Sequence, residues 1–221
     1  MTQGDALLEA IRDEPDDEGL RLVYADWLEE NGDPARSELI RVQCALEHLS
    51  AQAPERYSLQ TRERELLRRH EKVWLGPLRA GLKWWRFRRG LLEEVSLTVE
   101  RFLVHAHALL LLGPVCRVNF RGGATHNNRL PDCPRLAQLR AVDLSCNFVN
   151  DAAAVALAES RYLGGLRELR LAHNFIRVTG AQALAVSPGL ANLQLLDVTD
   201  NPLRQVGREA LRVRFGERLV S

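Results

Sequence analysis

A nine-residue stretch that occurs three times, at a constant spacing of 27 residues, constrains the fold more than any other feature. The copies occupy residues 139–147, 166–174 and 193–201, with apolar residues at the first, fourth and sixth positions and Asn at the ninth. This spacing fits a short strand that places its apolar side chains on one side. One strand cannot bury that side alone, so the recurrence predicts stacked units that share a continuous core.

This nine-residue pattern resembles the leucine-rich repeat. The segments between the copies, 150–160 and 178–187, are rich in Ala and Leu, which favour helices, and Asp151 and Thr179 are their predicted N-caps. A repeat unit of this length, with a full helix, is similar to the ribonuclease-inhibitor type of leucine-rich repeat. The resemblance implies parallel strands joined by right-handed crossovers, with the helices on the convex side.

Weaker copies extend the predicted sheet toward the N terminus. The apolar residues of 115–120 fit the pattern upstream of the first clear copy, at a slightly shorter spacing, although Gly123 replaces the Asn. Those of 92–97 fit again, one further copy upstream. The sequence therefore predicts five parallel strands and an atypical first repeat.

Asn147, Asn174 and Asn201 stand where the chain leaves each strand. A turning backbone has polar groups without a ladder partner, and an amide side chain can both donate to them and accept from them. We interpret these residues as a structural asparagine ladder and not as ligand-binding residues.

The N-terminal part of the chain predicts helices instead of repeats. Asp33 is predicted to cap one helix, with Pro34 at its first position. The helix before it has apolar residues at the spacing of a single face: Leu20, Val23, Tyr24, Trp27 and Leu28.

Residues 20–30, Leu-Arg-Leu-Val-Tyr-Ala-Asp-Trp-Leu-Glu-Glu, together with segments 7–11, 15–17 and 32–43, resemble the repeat-companion domain. That domain is a short helical module found at the N terminus of leucine-rich-repeat-like proteins in some large-genome bacteria. The resemblance implies attachment to repeats and a bacterial source. It implies no catalytic residue and no cofactor.

These patterns predict an α/β fold in which residues 1–82 form a small helical domain and residues 83–221 a right-handed solenoid. The helical domain is expected to cap the open strand edge at the N-terminal end of the solenoid. Trp84, Trp85 and Phe87 are predicted to form an apolar plug at that junction. A last amphipathic helix is expected to cover the other end of the core with Leu203, Val206, Ala210, Leu211 and Phe215.

The composition predicts a soluble cytoplasmic protein, since 46% of the residues are hydrophobic, 27% are charged and the net charge is +1. The four cysteines show no framework spacing, so they are expected to be free thiols in a reducing compartment. Residues 1–30 lack an early apolar run, which argues against a signal peptide. The longest apolar run, 106–115, is too short to span a bilayer.

Charge is unevenly distributed along the chain. Residues 1–33 have a local net charge of −9, and residues 62–89 have one of +7 with interleaved aromatics. The basic segment could bind nucleic acid. Alternatively, the acidic and basic helices dock on each other or are solvated. We favour the second interpretation, because the overall charge is near zero and no nucleic-acid-binding motif is present.

The residues that flank the central apolar position of each strand are expected to point outward and form the concave face. Adjacent strands would place Arg170 between Asp143 and Asp197, and Glu94 beside Arg117, so these charges can satisfy one another. This face is expected to have no aromatic anchor of the kind that dominates interfaces. The predicted binding face comprises Glu94, Arg117, Asn119, Arg121, Asp143, Glu168, Arg170, Leu195 and Asp197.

The sequence predicts no catalytic residue, metal site or cofactor. His126 and Cys133 lie close together in the chain and Cys116 lies upstream, but a zinc site would need a fourth ligand. No phosphate-binding loop, HExxH, GxSxG or GxGxxG motif occurs.

The function that these observations favour is a non-catalytic scaffold or adaptor that binds another protein. The first alternative is nucleic-acid binding through residues 62–89. The second is an enzyme with a dispersed site, which is disfavoured because no strand end gathers a nucleophile, a base and an acid.

Overall fold

The computed structural model describes residues 2–122 and 129–221, which form an α/β structure with one mostly parallel sheet. This part of the chain has eight α-helices and seven strands, and the strands lie side by side in chain order. None of these helices is long and apolar enough to cross a membrane. The helices are α1 (Gln3–Asp13), α2 (Glu18–Glu30), α3 (Pro34–His48), α4 (Glu55–Leu75), α5 (Val99–Leu111), α6 (Asp151–Glu159), α7 (Val178–Val186) and α8 (Arg204–Phe215). The strands are β1 (Trp84–Arg88), β2 (Leu91–Leu97), β3 (Arg117–Phe120), β4 (Ala141–Asp143), β5 (Glu168–Arg170), β6 (Leu195–Asp197) and β7 (Leu219–Val220).

The chain divides into two compact units. The first, here called the helical unit, comprises residues 1–93 and 108–115, and the second, the repeat unit, comprises residues 94–107 and 116–221. β2 and α5 contribute residues to both units. The predicted division into domains at residue 82, and the capping of one domain by the other, stay predictions.

In the helical unit, α3 begins where the sequence predicts. Asp33 Oδ1 accepts the backbone N–H of Arg36 at 3.1 Å, and Pro34 is the first helical residue. Asp17 caps α2 in the same way by accepting the N–H of Leu20 at 3.2 Å. These carboxylates satisfy N–H groups that have no partner within the helix, so the helix starts are set by local sequence.

The buried face of α2 includes Tyr24 and Leu28 as predicted, with Leu20 and Trp27 packed against the same core, but it departs from the prediction at two positions. Val23 is 52% exposed, whereas Arg21 is completely buried. Arg21 Nη2 donates to Glu93 Oε1 at 2.7 Å and to Pro15 O at 2.8 Å. Burial raises the pKa of Glu93 and lowers that of Arg21, and their mutual attraction opposes both shifts. The apolar pattern missed this ion pair because it considers only apolar residues.

The turn between β1 and β2 is held against α3. Gly90 has a φ of 75°, and its N–H donates to Gln43 Oε1 at 2.7 Å. Gln43 Nε2 donates to Phe87 O at 3.2 Å, so one side chain binds two points of the turn. A Cβ at position 90 would lie 2.5 Å from the Cα of Ile40. Glycine is needed here for both the backbone conformation and the close approach.

The predicted apolar plug is wrong for Trp84. Phe87 is buried, and its ring packs edge-on against Trp74 with 5.8 Å between the centroids. Trp85 is half-buried, whereas Trp84 is exposed with the guanidinium of Arg86 over its ring. Successive strand residues point to opposite faces, so β1 directs Trp84 away from the side that buries Phe87.

In the repeat unit, the five strands that the repeats predict are parallel neighbours. The sheet is longer than predicted, because β1 precedes these strands in it and β7 pairs in parallel with β6. The count of five is therefore wrong for the whole sheet, and the two additional strands carry no repeat pattern. The central apolar residues of the five strands align and are buried: Val95, Val118, Val142, Leu169 and Leu196.

The helices of successive repeats, α6, α7 and α8, pack side by side. The caps predicted for α6 and α7 are wrong, since Asn150 caps α6 by accepting the N–H of Ala153 at 3.0 Å. At the start of α7, Asp151 from the preceding repeat accepts the N–H groups of Arg177 and Gly180 at 2.7 and 2.9 Å. A carboxylate is favoured at a helix N-terminus, so one repeat helps to start the helix of the next.

α8 buries Leu211 and Phe215 as predicted, together with Gly207. The predicted burial of Val206 is wrong, because Val206 lies about a third of a turn away from that buried stripe and faces solvent.

We expect Gly90→Ala to lower the free energy of unfolding by at least about 3 kcal/mol, because the added Cβ meets the backbone of α3. Urea denaturation followed by tryptophan fluorescence reports on this unit, since the four tryptophans all lie in it. Gly32→Ala is the matched control, because Gly32 also has a positive φ, of 92°, but no atom lies within 4 Å of a Cβ added there. That variant should lose only about 1 kcal/mol. Equal losses would contradict the steric explanation.

Candidate functional site

A ladder of buried asparagines runs along one end of the strands in the repeat unit. Asn174 Nδ2 donates to the carbonyl oxygens of Leu144 and Leu171, each at 2.9 Å. Its Oδ1 accepts the N–H groups of Asn147 and Val149 at 3.1 and 2.9 Å. Each repeat therefore satisfies backbone groups of the repeat before it.

The other two predicted ladder residues are also buried and bond across repeats. Asn147 Nδ2 donates to Phe120 O at 2.9 Å. Asn201 Nδ2 donates to Leu171 O at 2.8 Å, and its Oδ1 accepts the N–H of Ile176 at 3.0 Å. Their capacity is used inside the protein, which supports a structural role.

Sequence reasoning missed a second ladder, made by Ser160 and Ser187. The Oγ of Ser160 donates to Pro131 O and that of Ser187 to Ala158 O, both at 2.5 Å. Both serines are buried. Their recurrence at the repeat spacing was a signal in the sequence, but it lies outside the nine-residue pattern.

The outward strand face has the predicted register. Arg170 is aligned with Asp143 on one neighbouring strand and with Asp197 on the other, and Glu94 is aligned with Arg117. The ion pairs are not all between neighbours, however. Arg117 makes two hydrogen bonds to Glu168, at 2.6 and 3.0 Å, although a strand lies between them.

Ala141 explains how Arg117 reaches across a strand. It is the residue of β4 aligned with both Arg117 and Glu168, and it is buried. Its methyl group leaves room for the arginine to span two strand spacings, about 10 Å. The hydrogen bonds between the two side chains are the main reason that the pKa of Glu168 is lowered and that of Arg117 is raised.

The other charges of the strand face are also engaged. Arg170 lies 3.9 Å from carboxylate oxygens of both Glu168 and Asp197. Asp143 Oδ1 accepts the N–H of Ser145 at 2.8 Å, and Asp197 Oδ1 accepts that of Thr199 at 3.0 Å. These aspartates therefore stabilise the turns that follow their strands, as well as contributing charge to the face.

The remaining predicted face residues differ in accessibility. Arg121 is exposed and Leu195 is half-buried. Glu94 is buried, so it offers little surface to a partner. Asn119 is half-buried, and its Oδ1 has no hydrogen-bond partner within the part of the chain that the structure describes.

Two exposed aromatic rings lie on the turns that follow β4 and β5. Phe148 and Phe175 are 58% and 54% exposed, and their rings stack with centroids 5.9 Å apart and planes 19° apart. Each directly follows a ladder asparagine. We call them the aromatic pair. The expectation that this surface lacks an aromatic anchor considered only the strand positions, so it missed a pair that recurs from one repeat to the next.

Polar residues precede the ladder asparagines on the same turns. His173 Nδ1 lies 3.1 Å from Asp200 Oδ2, and both side chains are largely exposed. Cys146, His173 and Asp200 have φ values of 59°, 55° and 54°. This shared left-handed conformation lets the next residue, Asn, enter the core while its neighbours face solvent.

The basic segment 62–89 uses many of its charges within the helical unit. Arg62 donates to Glu38 Oε1 and Oε2, each at 2.6 Å, and these bonds raise its pKa. The guanidinium of Arg79 lies 5.3 Å from the centre of the Trp85 ring, and that of Arg86 lies over Trp84. None of these contacts involves the acidic residues 1–33, so the docking of acidic on basic helices stays a prediction.

The candidate zinc ligands cannot be assembled from the described residues. His126 lies outside the described residues, as does Gly123, which replaces the repeat asparagine in an upstream copy. Cys116 and Cys133 are half-buried. Within residues 2–122 and 129–221 no group of three or more His, Cys, Asp or Glu side chains could hold a metal ion.

Comparison with known families supports the repeat assignment. A family model described as a leucine-rich repeat matches residues 166–185, which cover β5 and most of α7. No curated protein matches the chain.

We expect Asn174→Ala to destabilise the repeat unit by about 3 kcal/mol or more, because it leaves several buried backbone groups without partners. Hydrogen exchange of residues in β4 and β5 measures the effect. Asn192→Ala is the control, since Asn192 is exposed and makes a single bond to Gly164 O. It should change stability by less than about 0.5 kcal/mol. Similar effects in the two variants would contradict the ladder's importance.

We expect Arg117→Gln to raise the pKa of Glu168 toward its ordinary value, as measured by carboxyl-carbon NMR. The folded-state pKa of Glu168 is depressed. Its contribution to stability is therefore present above the unfolded-state pKa and is lost as the pH falls through the folded-state pKa. The variant should lose the part of the stability that depends on the ionisation of Glu168. Arg208→Gln on α8 is the control, and an unchanged Glu168 titration in Arg117→Gln would refute the pairing.

Proposed function

We propose that the repeat unit is a non-catalytic scaffold that binds another protein through the aromatic pair and the adjoining strand face. The observation that carries this proposal is the exposed, stacked Phe148 and Phe175. Aromatic side chains provide large contact area, and clustered ones dominate the binding energy of many interfaces. The two rings already contact each other before binding, so their side chains lose little conformational entropy when a partner engages them.

The strand face supplies the polar rim of this surface. Arg117, Glu168, Arg170 and Asp197 form a chain of ion pairs that is partly exposed. Surface ion pairs contribute little to affinity but orient partners and exclude wrong ones. In this proposal the predicted face residues therefore set specificity, and the aromatic pair supplies most of the affinity.

The leucine-rich repeat match at residues 166–185 supports the same class of function, since it covers β5 and Phe175. The proposed partner is a protein in the cytoplasm, where Cys44, Cys116, Cys133 and Cys146 would stay reduced.

Nucleic-acid binding is the second candidate, favoured by the exposed Trp84 beneath Arg86 on β1. Bases can stack on such a platform, and the binding would depend strongly on salt.

We expect affinity capture from a lysate of the source organism to retain a protein partner on the wild-type chain and lose it on Phe148→Ser/Phe175→Ser. The loss should be at least about tenfold by quantitative mass spectrometry. Val104→Ser is the matched control, because Val104 is an exposed apolar residue elsewhere in the repeat unit. Both variants keep the buried core, so circular dichroism should match the wild type.

The capture also separates the alternatives. Nuclease treatment should leave the partner bound, and Arg170→Glu should weaken its retention by altering the rim. A partner that is released by nuclease would favour nucleic-acid binding through residues 62–89. Equal capture by wild type and the double variant would move the protein-binding site away from the aromatic pair.

A further inference from the structure

A pocket of about 550 Å³ lies within the helical unit, between α3, the N-terminal part of α4 and β1. Its volume is typical of sites that hold small ligands. Leu46, Leu49 and Phe87 form an apolar wall, whereas most of the other lining residues are charged. Ligand sites combine apolar contact with convergent polar groups, and here the charged groups predominate, so the pocket suits a charged ligand.

Four arginines and two glutamates line the pocket, so its lining has two more positive than negative charges. The arginines are Arg56, Arg86, Arg88 and Arg89, and the glutamates are Glu47 and Glu63. Arginine stays protonated in proteins, so this positive excess does not depend on pH near neutrality. We call this site the arginine pocket, and its charge favours an anion.

The contacts of the two glutamates leave Arg88 only weakly compensated. Glu63 Oε1 accepts a hydrogen bond from Gln43 Nε2 at 2.6 Å. Glu47 lies between two arginines, with oxygens 3.4 Å from Arg88 Nη2 and 3.8 Å from Arg89 Nε. Both distances exceed the about 2.8 Å of a strong charge-assisted hydrogen bond. The Arg88 side chain is 48% exposed, so an anion in the pocket can reach it.

Arg89 is compensated from outside the pocket and contributes less. Its Nη2 donates to Glu93 Oε1 at 3.4 Å and lies 3.8 Å from Asp16 Oδ1. Arg86 has its guanidinium over the Trp84 ring, 5.2 Å from the ring centre. The charges that face a ligand most directly are therefore those of Arg56 and Arg88.

Arg56 is held in place without a carboxylate. Its Nη1 donates to the carbonyl oxygens of Leu46 and Leu49 at 3.2 and 2.7 Å, which offsets the negative end of α3. Within residues 2–122 and 129–221 no carboxylate oxygen lies within 4 Å of this guanidinium, and its Nη2 and Nε make no hydrogen bond. These donors are fixed before a ligand arrives, so little side-chain entropy is lost on binding.

The chemistry of these groups indicates the class of ligand. Guanidinium groups donate through a planar fork that matches the oxygens of a phosphate or a carboxylate. A phosphate monoester carries a charge of about −1.5 to −2 at pH 7, which matches the positive excess of the lining. The apolar wall of Leu46, Leu49 and Phe87 would contact the organic part of such an ester.

We propose that the arginine pocket binds a phosphate monoester, whose phosphate contacts Arg56 and Arg88 and whose organic group contacts the apolar wall. The ester belongs either to a small molecule or to a phosphorylated side chain of a partner, and the test below distinguishes these sources. The pocket lies in the helical unit and the aromatic pair in the repeat unit, so this proposal does not depend on the proposed function.

The test uses isothermal titration calorimetry of the full chain at low ionic strength, because salt screens exposed charges. Phenyl phosphate is the probe, and benzenesulfonate is its matched control, since it has the same ring with a single negative charge. Phenyl phosphate should bind saturably and at least about tenfold more tightly than benzenesulfonate. Phe148→Ser/Phe175→Ser should bind phenyl phosphate like the wild type.

Two substitutions should change the affinity in opposite directions. Arg88→Gln should raise the Kd for phenyl phosphate about tenfold, because it removes a charge that contacts the phosphate. Glu47→Gln should lower the Kd about threefold, because it removes the carboxylate that competes for Arg88. A misfolded variant would not bind more tightly, so this gain keeps the test valid. Arg69→Gln, at an exposed arginine of α4 outside the pocket, should change the Kd less than about twofold.

Competition against phenyl phosphate identifies the source of the ester. A short phosphoserine peptide that competes better than ribose phosphate, and loses this ability without its phosphate, would assign the pocket to a phosphorylated partner. The opposite order would assign it to a small molecule, and either order supports the proposal.

Three results would overturn the proposal: no saturable binding of phenyl phosphate, equal binding of benzenesulfonate, or unchanged affinity in both Arg88→Gln and Glu47→Gln. A single-stranded oligonucleotide that displaces phenyl phosphate at a lower concentration than either ester would also overturn it, by assigning these arginines to nucleic-acid binding.

Discussion

The repeat unit depends on the hydrogen bonds that a buried asparagine makes after each clear repeat strand. A parallel strand that turns toward a helix leaves carbonyl and N–H groups without ladder partners, and each costs about 1–3 kcal/mol if it is buried unpaired. Asn174 satisfies such groups from two repeats at once. The serines at 160 and 187 satisfy carbonyls elsewhere in the units. Stability therefore resides in contacts between repeats and not within any single one.

The ladder also determines which residues the unit displays. Because Asn147 and Asn174 turn into the core, the residues on either side of each are turned toward solvent. That geometry exposes Phe148 and Phe175 and brings their rings together one repeat apart. Pro202 takes the corresponding position in the next repeat, so the aromatic row stops there. The proposed binding surface is thus a consequence of the same turn that holds the stack together.

The helical unit relies on a different kind of contact. Arg21 and Glu93 form a buried ion pair between α2 and β2, and Gly90 lets the β1–β2 turn lie against α3. A buried ion pair adds little net stability, because the cost of desolvating the two charges offsets their attraction. A different packing of α2 on β2 would leave one of these charges buried without a partner. Such contacts specify how the helices meet the strands. The exposed apolar features proposed to bind partners lie instead in the repeat unit.

The sequence by itself determined the strand register, the central buried column and the burial of the ladder asparagines. These follow from spacing along a short segment, because the alternation of a strand decides locally which side chains face the core. Only the tertiary structure decided which polar groups meet across segments: Arg21 with Glu93, and Arg117 with Glu168 over the small Ala141. It also decided that β1 and β7 lengthen the sheet and that apolar side chains of α7 and α8 stay exposed. Partner choice and accessibility depend on distances between residues far apart in the chain, and a repeating pattern carries no information about those distances.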